Sequence, residues 1–167
     1  VGSDATVIND DKEAVAKAVV AAAVADSDFE SLDAAKEAGT AFVLMGHGTA
    51  HVAKVSYSQM QTQMQLLGYE NVFIGTVEGE PEETSCEAVI EAVKAAGYTN
   101  VIMRPLMVVA GDHANNDMAG EEEDSWKSMF EAAGLTVDCQ IAGLGGIADV
   151  QALYIAHTKA AIDALTA

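Results

Sequence analysis

Short apolar runs alternate along the chain with longer segments in which apolar residues recur at helical spacing. Compact apolar runs bounded by Gly, Asn and Asp are typical of buried strands, and the longer periodic segments are typical of amphipathic helices. The pattern predicts strands at residues 41–45, 71–77, 100–109 and 135–142. It predicts helices at residues 12–25, 82–96, 121–133 and 147–165, another that ends near residue 67, and a linker with a short helix within residues 25–39.

The ends and the buried faces of these helices can also be read from residue types. Asp10 and Asp11 are candidates to cap the first helix, because carboxylates accept hydrogen bonds from free N–H groups at a helix start. Gly68, Gly97 and Gly134 are predicted to end three later helices. The predicted buried faces are Tyr57, Met60, Met64 and Leu67; Cys86, Val89, Ile90 and Val93; and Trp126, Met129, Phe130 and Ala133.

Strands that alternate with helices at this spacing predict right-handed βαβ crossovers. The predicted fold class is therefore α/β, with a mostly parallel sheet of four or slightly more strands flanked by helices on both faces. The expected division is a helical connecting segment at residues 1–40 and an α/β unit at residues 41–167. The order of the strands cannot be read from the pattern.

Charge and composition exclude several classes of partner. The chain has 167 residues and a formal net charge of −18, which argues against binding to nucleic acid or to anionic membrane surfaces. The longest apolar run, residues 18–25, is too short to span a bilayer, and no secretory signal is visible. Cys86 and Cys139 are isolated and form no CxxC pair, which fits buried thiols in a reducing, cytoplasmic setting.

Residues with reactive side chains follow three of the predicted strands. Loops after parallel strands open at one edge of the sheet, so their side chains are expected to meet there. Two histidines and a carboxylate from separate loops suit a borderline divalent metal better than a hard, oxygen-preferring ion. The residues concerned are His47 and His51 after the first strand, Glu78 and Glu80 after the second, and Asp112, His113 and Asp117 after the third.

Position favours a functional role for His47, Glu78 and His113. His47 lies between two glycines directly after a buried strand, and Glu78 precedes a glycine where the second strand ends. The others have ordinary structural explanations. His51 can hydrogen-bond backbone at a helix start, and Glu80 can belong to the acidic start of the helix predicted at residues 82–96. Asp117, Asn115 and Asn116 can be turn formers, and His157 can be a structural residue within a helix.

Several alternative activities lack the residues that they require. No G-x-x-x-x-G-K-[ST] phosphate loop, G-x-G-x-x-G dinucleotide motif or G-x-S-x-G nucleophile elbow occurs. The segment Gly46-His47-Gly48 is similar to the start of histidine phosphatases, but those enzymes surround phosphate with arginines. Arg104 is the only arginine here, which excludes that activity on electrostatic grounds.

Five segments in order resemble one known family. They are FVLMGHGTAH at residues 42–51, GTVEG at 75–79, RPLMVVAGDHANNDMAG at 104–120, DSWK at 124–127 and GLG at 143–145. Together they resemble the anaerobic cobalt chelatases, the class II enzymes that insert Co(II) into sirohydrochlorin during cobalamin biosynthesis. The resemblance runs from about residue 42 to the C-terminus.

The resemblance implies two similar α/β lobes with a tetrapyrrole cleft between them, and a metal held by His47, His113 and Glu78. It implies an ATP-independent lyase. Family members are longer at the N-terminus, so residues 41–167 are expected to be the C-terminal lobe. The other lobe is then lost, a separate chain, or replaced by a second copy. The fourth loop reads GLGG where the family usually has an acidic residue after GLG, which leaves its role open.

The hypothesis that follows is a chelatase in which His47 and His113 hold Co(II) and accept pyrrole protons, with Glu78 balancing charge and taking a proton. Ni(II), Fe(II) or Zn(II) would suit the same ligands. Substrate-facing positions are assigned to Gly46, Gly48, Gly79, Met107 and Gly111. The alternatives are a metal- or tetrapyrrole-binding module without turnover, and an inactive half of a two-lobed chelatase.

Overall fold

The computed structural model describes residues 9–166 as an α/β fold built on one parallel sheet. The strands are β1 (Thr40–Gly46), β2 (Val72–Thr76), β3 (Asn100–Pro105) and β4 (Thr136–Cys139). The helices are α1 (Asp10–Ala25), α2 (Leu32–Glu37), α3 (Val55–Leu66), α4 (Cys86–Ala95), α5 (Trp126–Ala132) and α6 (Ala148–Thr166). The strand order is β2-β1-β3-β4 with every pairing parallel, which confirms the predicted fold class.

Alternation along the central strand β1 divides the apolar residues between two cores. Phe42 and Leu44 face one side of the sheet and pack with α1, α2 and α3. Val43 and Met45 face the other side and pack with α4 and α5. Since side chains alternate across a strand, one seven-residue strand buried along its whole length serves both cores. Helices therefore cover both faces, as predicted.

The buried faces of the helices agree with the periodic pattern. Met60 and Met64 are buried in α3, and Val89 and Val93 are buried in α4. Trp126 and Phe130 are buried in α5 with their rings stacked at a centroid separation of 5.9 Å. The predicted helix-ending glycines have positive φ: Gly68 at +77°, Gly97 at +88° and Gly134 at +89°. These parts of the prediction are confirmed.

The third strand is shorter than predicted. It ends at Pro105, not at residue 109; Leu106 N–H still donates to Met45 O at 2.7 Å, and the pairing with β1 stops there. The expected burial of residues 106–109 is wrong for Val108 and Val109, since 71% of Val109 is exposed. The segment leaves the sheet and lies against the fourth loop instead, where Leu144 N–H donates to Met107 O at 2.8 Å.

Other predicted boundaries also shift, each for a local reason. The first helix is capped by Asn9, whose side chain accepts from Lys12 N, so the capping role given to Asp10 and Asp11 is wrong. Helix α5 begins at Trp126 because Ser125 caps it and accepts from Ser128 N. Strand β4 pairs with β3 only up to Cys139, because β3 itself ends soon after. Helix α6 begins one residue later than predicted.

Arg104 ties α1 to the sheet. Its nearly buried guanidinium donates to Asp26 Oδ2 at 2.6 Å and to Gln140 Oε1 at 2.9 Å. Gln140 in turn donates to Ala23 O at 2.9 Å. Helix α1 thus belongs to the first core, and the division of the chain at residue 40 stays a prediction. Among the described helices, none combines the length and apolar character that a membrane crossing requires.

Candidate functional site

The carboxyl ends of β1 and β2 place His47 beside Glu78. The parallel ladder continues past the strands, with Val77 N–H donating to Gly46 O at 3.0 Å and Glu78 N–H donating to His47 O at 2.9 Å. These backbone bonds fix both residues at one edge of the sheet, where side chains of neighbouring parallel strands meet. His47 Nε2 lies 3.9 Å from Glu78 Oε1, a separation that is too long for a hydrogen bond.

The loop after β3 brings the second histidine to the same edge. The rings of His47 and His113 are 4.7 Å apart at their centroids and nearly perpendicular, at 80°. The two residues are far apart in sequence and come from neighbouring strands in the sheet, β1 and β3. The expected convergence of His47, Glu78 and His113 is therefore present in the fold.

The tautomer of each imidazole follows from its hydrogen-bond partner. His47 Nδ1 lies 2.9 Å from Gly48 O, which can only accept, so Nδ1 carries the proton. His113 Nδ1 lies 2.6 Å from Asp117 Oδ2, and an ionised carboxylate also only accepts. In the neutral form, each ring then has its lone pair on Nε2. This is the usual arrangement of metal-binding histidines.

The three side chains lie open to solvent. The side chain of His47 is 49% exposed, that of Glu78 is 52% exposed and that of His113 is 40% exposed. Within residues 9–166, no three His, Cys, Asp or Glu side chains are arranged, as they stand, to hold a metal ion. Coordination by this set would therefore require side-chain rearrangement, which the exposure of the three side chains permits. The assignment of these residues as ligands stays a prediction.

Two glycines at the site are required by close packing, Gly46 against Tyr57 and Gly48 against the end of β2. A Cβ on Gly46 would overlap the Tyr57 ring. The Tyr57 hydroxyl accepts from Gly48 N at 3.0 Å. Gly48 has a φ of +92°, and its Cβ would lie 2.8 Å from the Cβ of Glu78. The two glycines thus allow the His47 loop to fold closely over β2, in addition to the substrate-facing role predicted for them.

The remaining predicted substrate-facing positions differ in their surroundings. Gly79 has a positive φ of +60°, which glycine adopts without strain. A Cβ added to Gly111 would have no atom within 4 Å, so the space beside this residue is open. Met107 is half-buried against the second core, next to the loop that carries His113. A role in substrate binding stays a prediction for all three.

The neighbouring polar residues have structural partners. His51 Nδ1 accepts from Ala53 N at 3.1 Å and caps a short turn, as its structural explanation predicted. Glu80 is paired with Lys54 at 2.5 Å. His157 lies on α6 with Nε2 3.0 Å from Asp11 Oδ1 of α1. Asp117 bonds His113 and is not the simple turn former that the sequence suggested.

Comparison with known proteins identifies the family. The family described as "Cobalt chelatase (CbiK)" matches residues 8–163 of the chain. The chain belongs to this cobalt chelatase family. The resemblance inferred from the sequence motifs is thereby confirmed.

Two relatives of the cobalt chelatase family extend the comparison. Sirohydrochlorin cobaltochelatase of Salmonella typhimurium is 38% identical over 121 residues, which cover 72% of this chain and 44% of the relative. Sirohydrochlorin cobaltochelatase CbiKC of Nitratidesulfovibrio vulgaris is 33% identical over 134 residues, which cover 80% of this chain and 46% of the relative. The chain thus spans less than half the length of either chelatase.

The fourth loop of the chain supports the loop that carries His113. Gly145 N–H donates to Val108 O at 2.9 Å. A Cβ on Gly143 would lie 2.5 Å from the same oxygen and 2.9 Å from Ala110 N. Glycine at Gly143 is therefore required by close backbone contact. Sequence reasoning missed this role, because the contact joins segments that are distant along the chain.

This contact gives a direct prediction for the stability of the fold. Gly143→Ala is expected to lower the free energy of unfolding by about 1–3 kcal/mol, because the new methyl group meets rigid backbone atoms. The φ of Gly143 is −83°, which alanine adopts freely, so any loss comes from the clash. Urea unfolding measures the change. Gly146→Ala is the matched control because nothing lies within 4 Å of its Cβ position, and an equal loss in both variants would contradict the prediction.

The cysteines lie apart from this chemistry. Burial raises the pKa of the Cys86 thiol to about 12 and that of the Cys139 thiol to about 11. Both thiols are free and stay protonated at neutral pH. Since metals bind the thiolate form, neither cysteine is suited to serve as a ligand.

Proposed function

We propose that this chain forms the metal-binding lobe of a chelatase that inserts Co(II) into sirohydrochlorin. The observation that carries the proposal is the pair of imidazoles at 4.7 Å, each with Nδ1 engaged by an acceptor so that Nε2 is left to coordinate, beside the carboxylate of Glu78. Membership of the cobalt chelatase family supports Co(II) as the metal that is inserted. The names of the two relatives support sirohydrochlorin as the tetrapyrrole.

In the proposed site, Nε2 of His47 and Nε2 of His113 bind the ion first. Glu78 turns from its present rotamer to add a carboxylate oxygen and one negative charge. Neutral imidazoles leave most of the charge of Co(II) uncompensated, so the ion remains able to pass to a better set of donors. The four nitrogens of a tetrapyrrole are such a set.

Insertion requires no oxidation or reduction. Two pyrrole N–H bonds break as the ring nitrogens bind Co(II), and two protons are released. As the metal leaves, the Nε2 lone pairs of His47 and His113 become free and can accept those protons. Glu78 is a further acceptor at the same edge. The ligands that deliver the metal thus also serve as the bases that complete the exchange.

The open face above the histidines is the proposed seat of the macrocycle. Gly46, Gly48, Gly79 and Gly111 would allow a flat ring to approach the backbone, and Met107 would provide an apolar edge. The half-exposed side chains support a site whose opposite wall lies outside the described residues. A segment equivalent to the other half of the longer relatives, a separate chain or a second copy would supply it.

Charge bears on how the substrate is held. Sirohydrochlorin carries many carboxylates, whereas this chain has a net charge of −18. Its one arginine is already paired with Asp26. Cationic contacts to the substrate would therefore come mainly from the opposite wall. The chain would contribute mainly to metal delivery. Its cytoplasmic location, inferred from the isolated cysteines, stays a prediction.

The same donors would accept Ni(II), Fe(II) or Zn(II). Imidazole and carboxylate ligands follow the general affinity order of divalent metals and provide little selectivity of their own. Co(II) is proposed as the metal in the cell because it is the metal of the family, with the others as substitutes in vitro.

Insertion can be followed by the absorbance change of sirohydrochlorin on mixing with Co(II) and the chain. The chain is expected to accelerate the change above the spontaneous rate, and His47→Ala is expected to abolish the acceleration. His51→Ala is the matched control, since His51 follows the same strand but caps a turn. A rate equal to the spontaneous one, with Co(II) or tetrapyrrole merely bound, would overturn the catalytic proposal.

A further inference from the structure

We propose that Asp117 is a positioning residue that holds His113 in its metal-binding tautomer, an inference that rests on the proposed function. Asp117 Oδ2 lies 2.6 Å from His113 Nδ1, and this bond joins two side chains four residues apart. No metal-binding or catalytic role is assigned to Asp117 itself. Asp117 would change the affinity for Co(II) only by orienting the imidazole of His113.

His113 directly precedes a single π-helical turn, Ala114–Met118, which contains Asp117 and is anchored at both ends. Ala114 and Met118 are fully buried, which fixes one side of the turn against the protein. Gly120 closes it, since a Cβ there would overlap Asn116 O. His113 and Asp117 each precede one of these buried residues and lie at the edge of the buried side, with side chains 40% and 44% exposed.

The carboxylate determines which nitrogen of His113 is free. Because Asp117 only accepts, it requires the proton on Nδ1 and leaves the lone pair on Nε2. Without this partner, a half-exposed imidazole exchanges between both tautomers, and one of them blocks Nε2 with a proton. A carboxylate partner also holds the orientation of the imidazole ring, as is usual for metal-binding histidines.

The two histidines of the site differ in the partner that accepts a hydrogen bond from Nδ1. His47 is oriented by the backbone carbonyl of Gly48, which no side-chain substitution removes. His113 depends on a side chain. The turn itself has other hydrogen bonds, since Asn116 donates to Asp112 Oδ1 and Asn115 donates to Gly111 O, both at 2.7 Å. Asp117 is therefore free to serve His113 and is not needed to hold the turn.

The neighbouring pair Asp112 and Asn116 provides a matched control. It is also an exposed side-chain bond between residues four apart on the same turn, but it does not touch His113. Asn116→Ala removes that bond and keeps the His113–Asp117 contact. Asp117→Ala removes the His113–Asp117 contact and keeps the bond between Asn116 and Asp112. Asp117→Asn keeps the side-chain volume and removes only the charge. It therefore shows whether a loss of Co(II) binding in Asp117→Ala comes from disturbed folding.

Two measurements on the full chain test the proposal. Long-range ¹H–¹⁵N correlation spectra of the metal-free chain, in mildly alkaline buffer where imidazoles are neutral, report the His113 tautomer. Titration with Co(II) alone gives the Kd. The parent is expected to show the Nδ1–H form of His113. Asp117→Ala is expected to show a mixture and to bind Co(II) about 10–100-fold more weakly, Asp117→Asn is expected to lose less, and Asn116→Ala is expected to match the parent.

The outcomes separate this inference from the proposed function. An Nδ1–H tautomer that persists in Asp117→Ala overturns the positioning role, as does an unchanged Kd despite a changed tautomer. Neither result affects the assignment of His113 as a ligand. That assignment fails if His113→Ala binds Co(II) as tightly as the parent, and the positioning role then fails with it.

Discussion

Replacing His113 by alanine is expected to weaken Co(II) binding roughly 100-fold or more, since loss of a direct ligand should cost at least as much as loss of its supporting residue. The reason is geometric: the rings of His113 and His47 are 4.7 Å apart, and each engages Nδ1 with an acceptor so that Nε2 is left to coordinate. In His113→Ala, only His47 and Glu78 remain of the three proposed ligands. Isothermal titration with Co(II) measures the change.

His51→Ala provides the comparison for that experiment. It removes an imidazole from the same region of the chain, and its Nδ1 is occupied by Ala53 N in a local turn. We expect its Co(II) affinity to equal that of the parent within a factor of about two, consistent with a residue that does not touch the metal. Equal losses in His113→Ala and His51→Ala would show general histidine binding and would contradict the assigned site.

Trp126→Ala is expected to lower the free energy of unfolding by about 3–5 kcal/mol, the usual range for removing a buried large aromatic side chain. Trp126 is 4% exposed, stacks on Phe130 and lies directly over Gly75 in β2. It thereby joins α5 to the strand that leads to Glu78. Chemical denaturation monitored by circular dichroism measures the loss.

The contact with Gly75 allows a sharper test by double mutation. Gly75→Ala alone is expected to cost about 1–3 kcal/mol, because the added methyl group would overlap the Trp126 ring. In the Trp126→Ala background the ring is absent, so the same substitution should cost little. The difference is the coupling between the two positions. An equal cost of Gly75→Ala in both backgrounds would show that the predicted overlap does not occur.

The sequence predicted the fold because burial and periodicity agree along most of the chain. The continuous apolar run of β1 indicated a buried strand, and helical spacing indicated the faces of α3 and α4. What the pattern could not show were the strand order and the point where β3 ends. Four apolar residues follow Pro105, and hydropathy alone does not distinguish a buried run from a loop that lies against another loop.

The candidate site was predictable at the level of which loops meet. Parallel strands bring their carboxyl ends to one edge, so His47, Glu78 and His113 could be grouped without coordinates. The supporting contacts could not be predicted. The pairing of Asp117 with His113 depends on a π turn in place of an ordinary one, and the contact of Gly143 with Val108 joins distant segments. Such contacts follow from tertiary geometry and leave no periodic signal.

X-ray absorption at the cobalt edge of the Co(II)-loaded chain tests the central claim most directly, because it reports the donor atoms around the ion. We expect scattering from two imidazoles and at least one carboxylate oxygen. One imidazole should disappear in His47→Ala and one in His113→Ala, and both should remain in His51→Ala. A cobalt ion surrounded only by oxygen donors, or a spectrum identical in all three variants, would contradict the proposal that these two histidines hold the metal.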